Sequence, residues 1–153
     1  MIGLLQRVSE ASVTVAAGRV AAIDRGLLVF IGVEQGDADA EADRLLERIL
    51  AYRVFPDGEG RMNLDLGQVQ GGLLLVPQFT LAADTHKGNR PSFTPAAAPA
   101  EGERLFRYIC TRAAALHAPL GCGLFGADMQ VALVNDGPVT FWLRVPPQGP
   151  GTH

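Results

Sequence analysis

The sequence predicts an α+β domain in which antiparallel sheets carry two helices on the outside. Apolar runs of strand length recur from one end of the chain to the other, and only two segments repeat their apolar residues at helical spacing. With 153 residues and 48% hydrophobic content, the chain can build one domain with a core of its own and is short for two. That domain is expected over residues 1–145. The Pro- and Gly-rich stretch 146–153 cannot bury apolar surface and is expected to be a disordered tail.

In order along the chain, residues 2–9 and 12–16 read as two short strands separated by Glu10-Ala11, and 27–33 as a third that ends near Gly36. Asp37 opens a helix: acidic residues crowd its first turn, and Ala42, Leu45, Leu46, Ile49 and Leu50 form one stripe. Pro56-Asp57-Gly58-Glu59-Gly60 is a turn, and the fully apolar run 72–76 is a strand whose end delivers Gln78, Phe79 and Thr80 to a rim. Residues 82–100 form a long connection. A second helix covers 101–116, with Leu105, Tyr108, Ile109, Ala113 and Leu116 on one face and Pro119 behind it. Segments 124–125, 129–134 and 139–145 supply the remaining strands, the last two read as a pair. The connection between that pair, Asn135-Asp136-Gly137-Pro138, is not the two-residue Asn-Gly or Asp-Gly turn of an ordinary hairpin. Gly137 permits unusual φ and Pro138 has no N–H, so this turn either aims carbonyls outward or simply reverses the chain.

Composition excludes several functions. No stretch approaches the length of an apolar membrane span, and the N-terminus lacks a charged segment followed by an apolar core, so the chain is expected in the cytoplasm. A net charge of −3 argues against a protein that coats DNA or long RNA. A small contact at an RNA end survives that objection: Lys87, the only lysine, and Arg90 can neutralise a phosphate or two, or belong to a solvated loop. Cys110 and Cys122 lack metal-ligand or redox spacing and are expected to be reduced packing residues. No ligand cluster for a metal and no cofactor motif is visible. His86, His117 and His153 fall in a polar loop, at a helix end and at the last residue, away from any Gly-x-Ser-x-Gly elbow.

What remains for chemistry is the backbone at a strand end. Successive N–H groups of Phe79 and Thr80 can polarise a carbonyl and hold an oxyanion. The Thr80 hydroxyl is either a nucleophile or a positioning group; it has no general base beside it in sequence, which favours positioning.

The opening Met1-Ile2-Gly3-Leu4-Leu5-Gln6-Arg7-Val8, the segment Pro77-Gln78-Phe79-Thr80-Leu81 and the segment Asn135-Asp136-Gly137-Pro138-Val139-Thr140 together resemble the D-aminoacyl-tRNA deacylases. The signatures of that family are a Ser-Gln-Phe-Thr-Leu strand end and an Asn-x-Gly-Pro-x-Thr loop. The likeness continues through 27–32, Met62-Asn63-Leu64, Arg90-Pro91-Ser92-Phe93 and Ala127-Asp128-Met129-Gln130, nearly the whole chain up to Val145. Pro77 departs from the family's usual Ser and removes a hydroxyl and an N–H. A related animal group also begins this motif with Pro but has Ala where this chain has Phe79, so Phe79 and Asn135-Asp136 favour the D-specific branch.

The resemblance implies a β-barrel-like homodimer, needing no cofactor, that hydrolyses the ester of D-aminoacyl-tRNA and of mischarged glycyl-tRNA. It places catalysis at Gln78, Phe79 and Thr80. It further implies that Gly137 and Pro138, joined by a cis bond, enter the partner subunit's pocket and occupy the space an L side chain would need, with Arg7 holding the loop. The rival readings are a non-catalytic module that binds charged tRNA 3′ ends and a structural β-domain.

Overall fold

The computed structural model describes residues 1–148. Its centre is a six-stranded sheet of β1 (Ile2–Val15), β2 (Gly18–Ile23), β3 (Gly26–Gly32), β6 (Gly72–Pro77), β7 (Leu120–Cys122) and β8 (Met129–Arg144), with helices α1 (Asp39–Ala51) and α2 (Pro99–Leu116) outside it. A small two-stranded sheet of β4 (Phe55–Pro56) and β5 (Met62–Leu64) lies apart.

β1 organises everything else. Along one edge its first half pairs with β3, from Ile2↔Gly32 to Val8↔Gly26, and its second half with β2, from Ala11↔Ile23 to Val15↔Gly18. Along the other edge it pairs with β8 over its full length, from Ile2↔Arg144 to Val15↔Met129. The sheet curls into a nearly closed barrel: β2 packs back on β7, where a Cβ on Gly121 would meet the Ala21 Cβ at 3.1 Å. Glu10-Ala11 does not divide β1. The interruption is absorbed instead by register shifts between Gln6 and Val8 and between Val8 and Glu10.

The α+β class holds, but the sheet is mixed where antiparallel pairing was expected. β3 and β6 run parallel, as do β6 and β7. The reason lies in the connections: α1 lies between β3 and β6 and α2 between β6 and β7, and a long crossover through a helix returns the chain in the same direction. Parallel strands covered on both faces read as unbroken apolar runs. Leu27, Val29, Ile31, Leu73 and Leu75 face the main core beneath α1 and α2, while Leu28, Leu74 and Val76 face the barrel interior with Val8, Ala11, Val13 and Ile23.

Other local expectations shift. α1 begins at Asp39, after Ala38, whose N–H is taken by the Glu41 carboxylate at 2.7 Å. α2 begins at Pro99, which suits a first helical turn, and Leu116 is 58% exposed instead of buried. β2 was not expected, because Arg19 and its small neighbours give no apolar alternation. The strand near 124–125 falls instead at Leu120–Cys122. Segments 129–134 and 139–145 do not pair with each other; they are two halves of β8 laid end to end on β1. Of the expected tail, Pro146 to Gln148 follow β8 as coil, with the Gln148 N–H 3.2 Å from Glu41 Oε1, and 149–153 lie outside the described residues. No helix of the described residues is long and apolar enough to cross a membrane.

Candidate active site

β6 ends at Pro77 and breaks into a short 3-10 turn, Phe79–Ala82. The break is anchored on β3. Gln78 donates its N–H to the Ile31 carbonyl at 2.8 Å, and the turn sits so close on Gly32 that a Cβ there would meet Leu81 Cβ at 2.9 Å and the Gln78 carbonyl oxygen at 3.2 Å. A larger residue at 32 would lift the turn from its seat. Leu81 N–H closes the turn on the Gln78 carbonyl at 3.2 Å. The N–H groups of Phe79 and Thr80, the first two of the turn, have no acceptor among the described residues. Both residues are exposed.

Thr80 Oγ1 accepts a hydrogen bond from Gln78 Nε2 at 2.5 Å, which fixes the hydroxyl and leaves its proton free to be donated onward. No carboxylate or imidazole bonds to it among the described residues. Phe79 is 54% exposed and stacks at a tilt on Phe93, 43% exposed, with ring centroids 5.1 Å apart. Pro77 costs the ladder nothing here, since the bond to Ile31 comes from the Gln78 N–H; its Cδ lies 3.2 Å from where a Cβ on Gly123 would stand.

Beyond the turn the chain makes a loop closed by a reciprocal backbone pair, Asp84 N–H to the Ser92 carbonyl at 2.8 Å and Ser92 N–H to the Asp84 carbonyl at 2.9 Å. Lys87 and Arg90 are exposed on it and form no ion pair among the described residues. His86 is committed locally: its N–H and its Nδ1 both reach Asp84 Oδ1, at 2.9 and 2.7 Å, and the backbone bond foremost holds the Asp84 carboxyl below its ordinary range. His117 bonds the Gly71 carbonyl through Nε2 at 2.7 Å, at the end of α2. Neither imidazole hydrogen-bonds to the Thr80 hydroxyl. Among the described residues no group of His, Cys, Asp and Glu has the makings of a metal site.

The second segment interrupts β8. Asn135 spans it, its Oδ1 accepting the Val139 N–H at 2.9 Å and its Nδ2 donating to the Val139 carbonyl at 3.1 Å and to Thr140 Oγ1 at 3.3 Å. Arg7, from β1, reaches up with Nε to the Asp136 carbonyl at 2.8 Å while its Nη1 donates to the Val54 carbonyl at 2.7 Å; the side chain is 12% exposed. The Gly137–Pro138 bond is cis and both residues are exposed. A Cβ on Gly137 would stand 2.1 Å from the Val139 nitrogen, so no other residue fits this loop as it is folded.

The structure therefore joins Arg7 to the Gly137 loop and Gln78 to Thr80, but it does not bring the two groups together within one chain. The pairings put Gly137 level with Gln6 to Val8, hence with Leu73 and Leu74, whereas Pro77 lies level with Ile31 and Gly3. That is a separation of roughly 10–13 Å along the strands and, across three strand spacings, about 14 Å sideways before curvature. No hydrogen bond links the two segments among the described residues. From sequence Asn135 enters only as part of the loop motif and Phe93 and Gly32 only as parts of the wider likeness, none with a role of its own, and the Val54 carbonyl does not enter at all. Asn135 had a readable signal, since an Asn at a chain reversal commonly captures backbone groups two to four residues on; Phe93 and Gly32 had none.

A family model described as D-Tyr-tRNA(Tyr) deacylase matches residues 4–144. This chain belongs to the D-aminoacyl-tRNA deacylase family. D-aminoacyl-tRNA deacylases of Thioalkalivibrio sulfidiphilus and Aeromonas hydrophila are 63% and 61% identical to it; the matches cover 96% and 95% of this chain and 99% and 100% of theirs. Members of the family are hydrolases, and so is this deacylase. Among solved structures, one described as the c-Myc DNA unwinding element binding protein superposes with a TM-score of 0.91 at 36% identity, over 95% of this chain and 99% of that one. Another, described as a probable eukaryotic D-amino acid tRNA deacylase, shares the fold with a TM-score of 0.70 at 17% identity, over 93% of this chain and 97% of that one.

Proposed function

We propose that this deacylase hydrolyses the ester joining a D-amino acid to the terminal ribose of tRNA, and that its pocket is completed by a second copy of the chain. The observation that carries the reading is the pair of N–H groups at Phe79 and Thr80, unbonded among the described residues and exposed at a strand end beside a hydroxyl that has no base among those residues. Two such donors suit an ester carbonyl whose oxygen becomes negative as water adds, and one donor of this kind is worth on the order of 10²–10³ in rate. Water supplies the new C–O bond, the bond from carbonyl carbon to ribose oxygen breaks, and the ribose oxygen takes a proton. The adjacent ribose hydroxyl of the substrate is placed to assist that transfer. Thr80, held by Gln78, orients the ester; without a base its hydroxyl is a weak nucleophile.

Chiral selection is assigned to Gly137 and Pro138, braced by Arg7 and Asn135 and presented to the other subunit's pocket. The support is geometric: the two segments stand apart within one chain, and the outer edge of β8 is unpaired among the described residues, with Val134 50% and Trp142 58% exposed on that strand. A filter that works by filling the space of an L side chain has nothing to refuse in glycine, so glycyl-tRNA is a substrate as well. Lys87 and Arg90 would meet phosphates near the tRNA 3′ end, in the cytoplasm where charged tRNA is found.

The test is turnover of D-tyrosyl-tRNA and L-tyrosyl-tRNA by purified protein, followed as free tyrosine, with and without a chelator. The expected result is release from the D ester alone, unaffected by chelation. Tight binding of the D ester without release would favour the non-catalytic binding module, and chelator-sensitive release would overturn the backbone mechanism.

A further inference from the structure

Two neighbouring residues of β1, Gln6 and Arg7, serve the Gly137 loop from opposite legs. β8 pairs with β1 at Gln6↔Thr140 and again at Val8↔Asn135, so Asp136 to Val139 stand off the ladder opposite Arg7. One leg leaves the ladder at Asn135 and the other returns to it at Thr140. Arg7 holds the first leg through the Asp136 carbonyl at 2.8 Å, and its Nε lies 3.5 Å from the Asp136 carboxylate. The returning leg is held through Thr140 Oγ1, which accepts a hydrogen bond from Gln6 Nε2 on β1 at 3.3 Å and another from Asn135 Nδ2 on the opposite leg, also at 3.3 Å.

A threonine hydroxyl has two acceptor lone pairs, so the two donors fill the acceptor capacity of Thr140. Asn135 uses both Nδ2 protons inside the loop, one on the Val139 carbonyl and one on Thr140, and its Oδ1 takes the Val139 N–H. Among the described residues Gln6 is therefore the only side chain from outside the loop that bonds the returning leg. The two attachments differ in kind. Arg7 brings a charged donor to a carbonyl, whereas the bond from Gln6 to Thr140 is neutral, long and exposed. A bond of that sort contributes little to holding the fold together, because water replaces it readily. What it fixes is direction, since it ties the leg that carries Pro138 back to β1.

We propose that Gln6 and Thr140 are positioning residues of the loop: the Thr140 hydroxyl joins its two legs to each other and to β1, and so sets where Pro138 stands. The inference rests on the reading of Gly137 and Pro138 as the element that refuses L side chains. With Arg7 in place and the Thr140 hydroxyl removed, the loop stays fastened at Asp136 and swings at Pro138, so selection loosens before the fold does. Thr140→Val keeps the shape and the strand preference of the residue and removes only the acceptor. Gln6 Nε2 and one Asn135 Nδ2 proton then turn to water, which reaches them because Thr140 is exposed and Gln6 and Asn135 are half-buried. Thr140→Ser keeps the acceptor and with it the tie.

The test measures turnover of D- and L-tyrosyl-tRNA, and thermal unfolding, for the parent, Thr140→Val, Thr140→Ser, Gln6→Leu and the double variant Gln6→Leu/Thr140→Val. In Thr140→Val the ratio of D to L turnover should fall by about tenfold, less than a full ångström of displacement would cost, while the unfolding midpoint stays within about 3 °C of the parent. Thr140→Ser should keep the ratio within about threefold, as retention of the acceptor requires. Gln6→Leu should lower the ratio by less than Thr140→Val, because Asn135 still bonds the hydroxyl, and should change it no further in the double variant, where its partner is already gone. An unchanged ratio in Thr140→Val, a loss in Thr140→Ser equal to that in Thr140→Val, or a Gln6→Leu effect that adds in full in the double variant would each overturn the proposal. Gly137→Ala run alongside separates it from the reading beneath it. A ratio that moves with Gly137→Ala but not with Thr140→Val strikes out Gln6 and Thr140 and leaves the loop as the filter, whereas a ratio that moves with neither strikes out both.

Discussion

The strand end at Gln78 to Thr80 and the interruption of β8 at Asn135 to Thr140 are both places where a strand stops obeying its ladder, yet they are finished in opposite ways. At the strand end the backbone is left open: among the described residues two N–H groups have no acceptor, and the only side-chain bond runs from Gln78 to Thr80. In the β8 loop the backbone is closed off, with the Asp136 carbonyl, the Val139 N–H and the Val139 carbonyl all taken by Arg7 and Asn135. An open backbone is what a site needs to bind something. A braced loop is what a probe needs to exclude something, because a filter that yields cannot discriminate.

The largest effect should come from Gly137→Ala. The added methyl would have to occupy space 2.1 Å from the Val139 nitrogen, so the loop must move, and a displacement of an ångström at a reacting pocket is worth about 10². The ratio of D- to L-tyrosyl-tRNA turnover should change by on the order of 10², through lost D activity or gained L activity. An unchanged ratio would remove the loop from selection.

Thr80 sharpens the other half of the contrast. Thr80→Ser keeps the acceptor for Gln78 and should hold activity within a few-fold, while Thr80→Val should fold and lose about tenfold or more, short of the loss of a full oxyanion donor. A covalent acyl-enzyme trapped on Thr80 would replace positioning by attack.

Arg7 tests the brace itself. Arg7→Lys cannot serve the Asp136 and Val54 carbonyls from two separate nitrogens, so stability should fall by about 1–3 kcal/mol and L-ester cleavage should rise, while turnover of the D ester changes less. Denaturant unfolding and paired turnover assays would show whether stability and D-over-L selectivity fall together. The smallest effect is expected at Lys87→Ala, where tRNA affinity should lose about one phosphate's worth of salt dependence with the D/L ratio untouched. A salt slope equal to the parent's would take the 84–92 loop away from RNA.

These differences also explain what could be read from the chain. The apolar runs at 27–33 and 72–76 announced buried strands, and the stripes of α1 and α2 were plain, because burial leaves a pattern in side-chain type. Direction of pairing leaves only an indirect one. Both runs were buried on two faces, the mark of parallel strands, but only the helical crossovers that enclose them fix the direction. The two halves of β8 read as a hairpin in sequence because Gly137-Pro138 looks like a reversal, whereas the fourteen residues of β1 supply one continuous template for both halves. β2 escaped because its pairing with β1 needs no apolar face of its own. At the candidate site, Gln78, Phe79, Thr80, Arg7, Gly137 and Pro138 are proposed through motif, and what the sequence leaves unread is how each is held. Gly32 and Phe93 act through close approach across the sheet, which no local pattern encodes.

The claim that the open strand end and the braced loop meet between subunits is tested most directly by mixing two impaired proteins. On that claim, Thr80→Val and Gly137→Ala chains, unfolded and refolded together, should give hybrid dimers in which one pocket carries both substitutions and the other neither. Where Gly137→Ala has lost D activity, D-tyrosyl-tRNA turnover should then rise well above the mean of the two separate homodimers, toward one quarter of the parent at equal mixing, since half the dimers are hybrids with one intact pocket of two; where it has gained L activity, L-tyrosyl-tRNA turnover should fall below that mean, toward one quarter of the Gly137→Ala value. Activity that stays at that mean, with hybrid formation confirmed by mass spectrometry, would place both elements in a pocket of one chain and contradict the account.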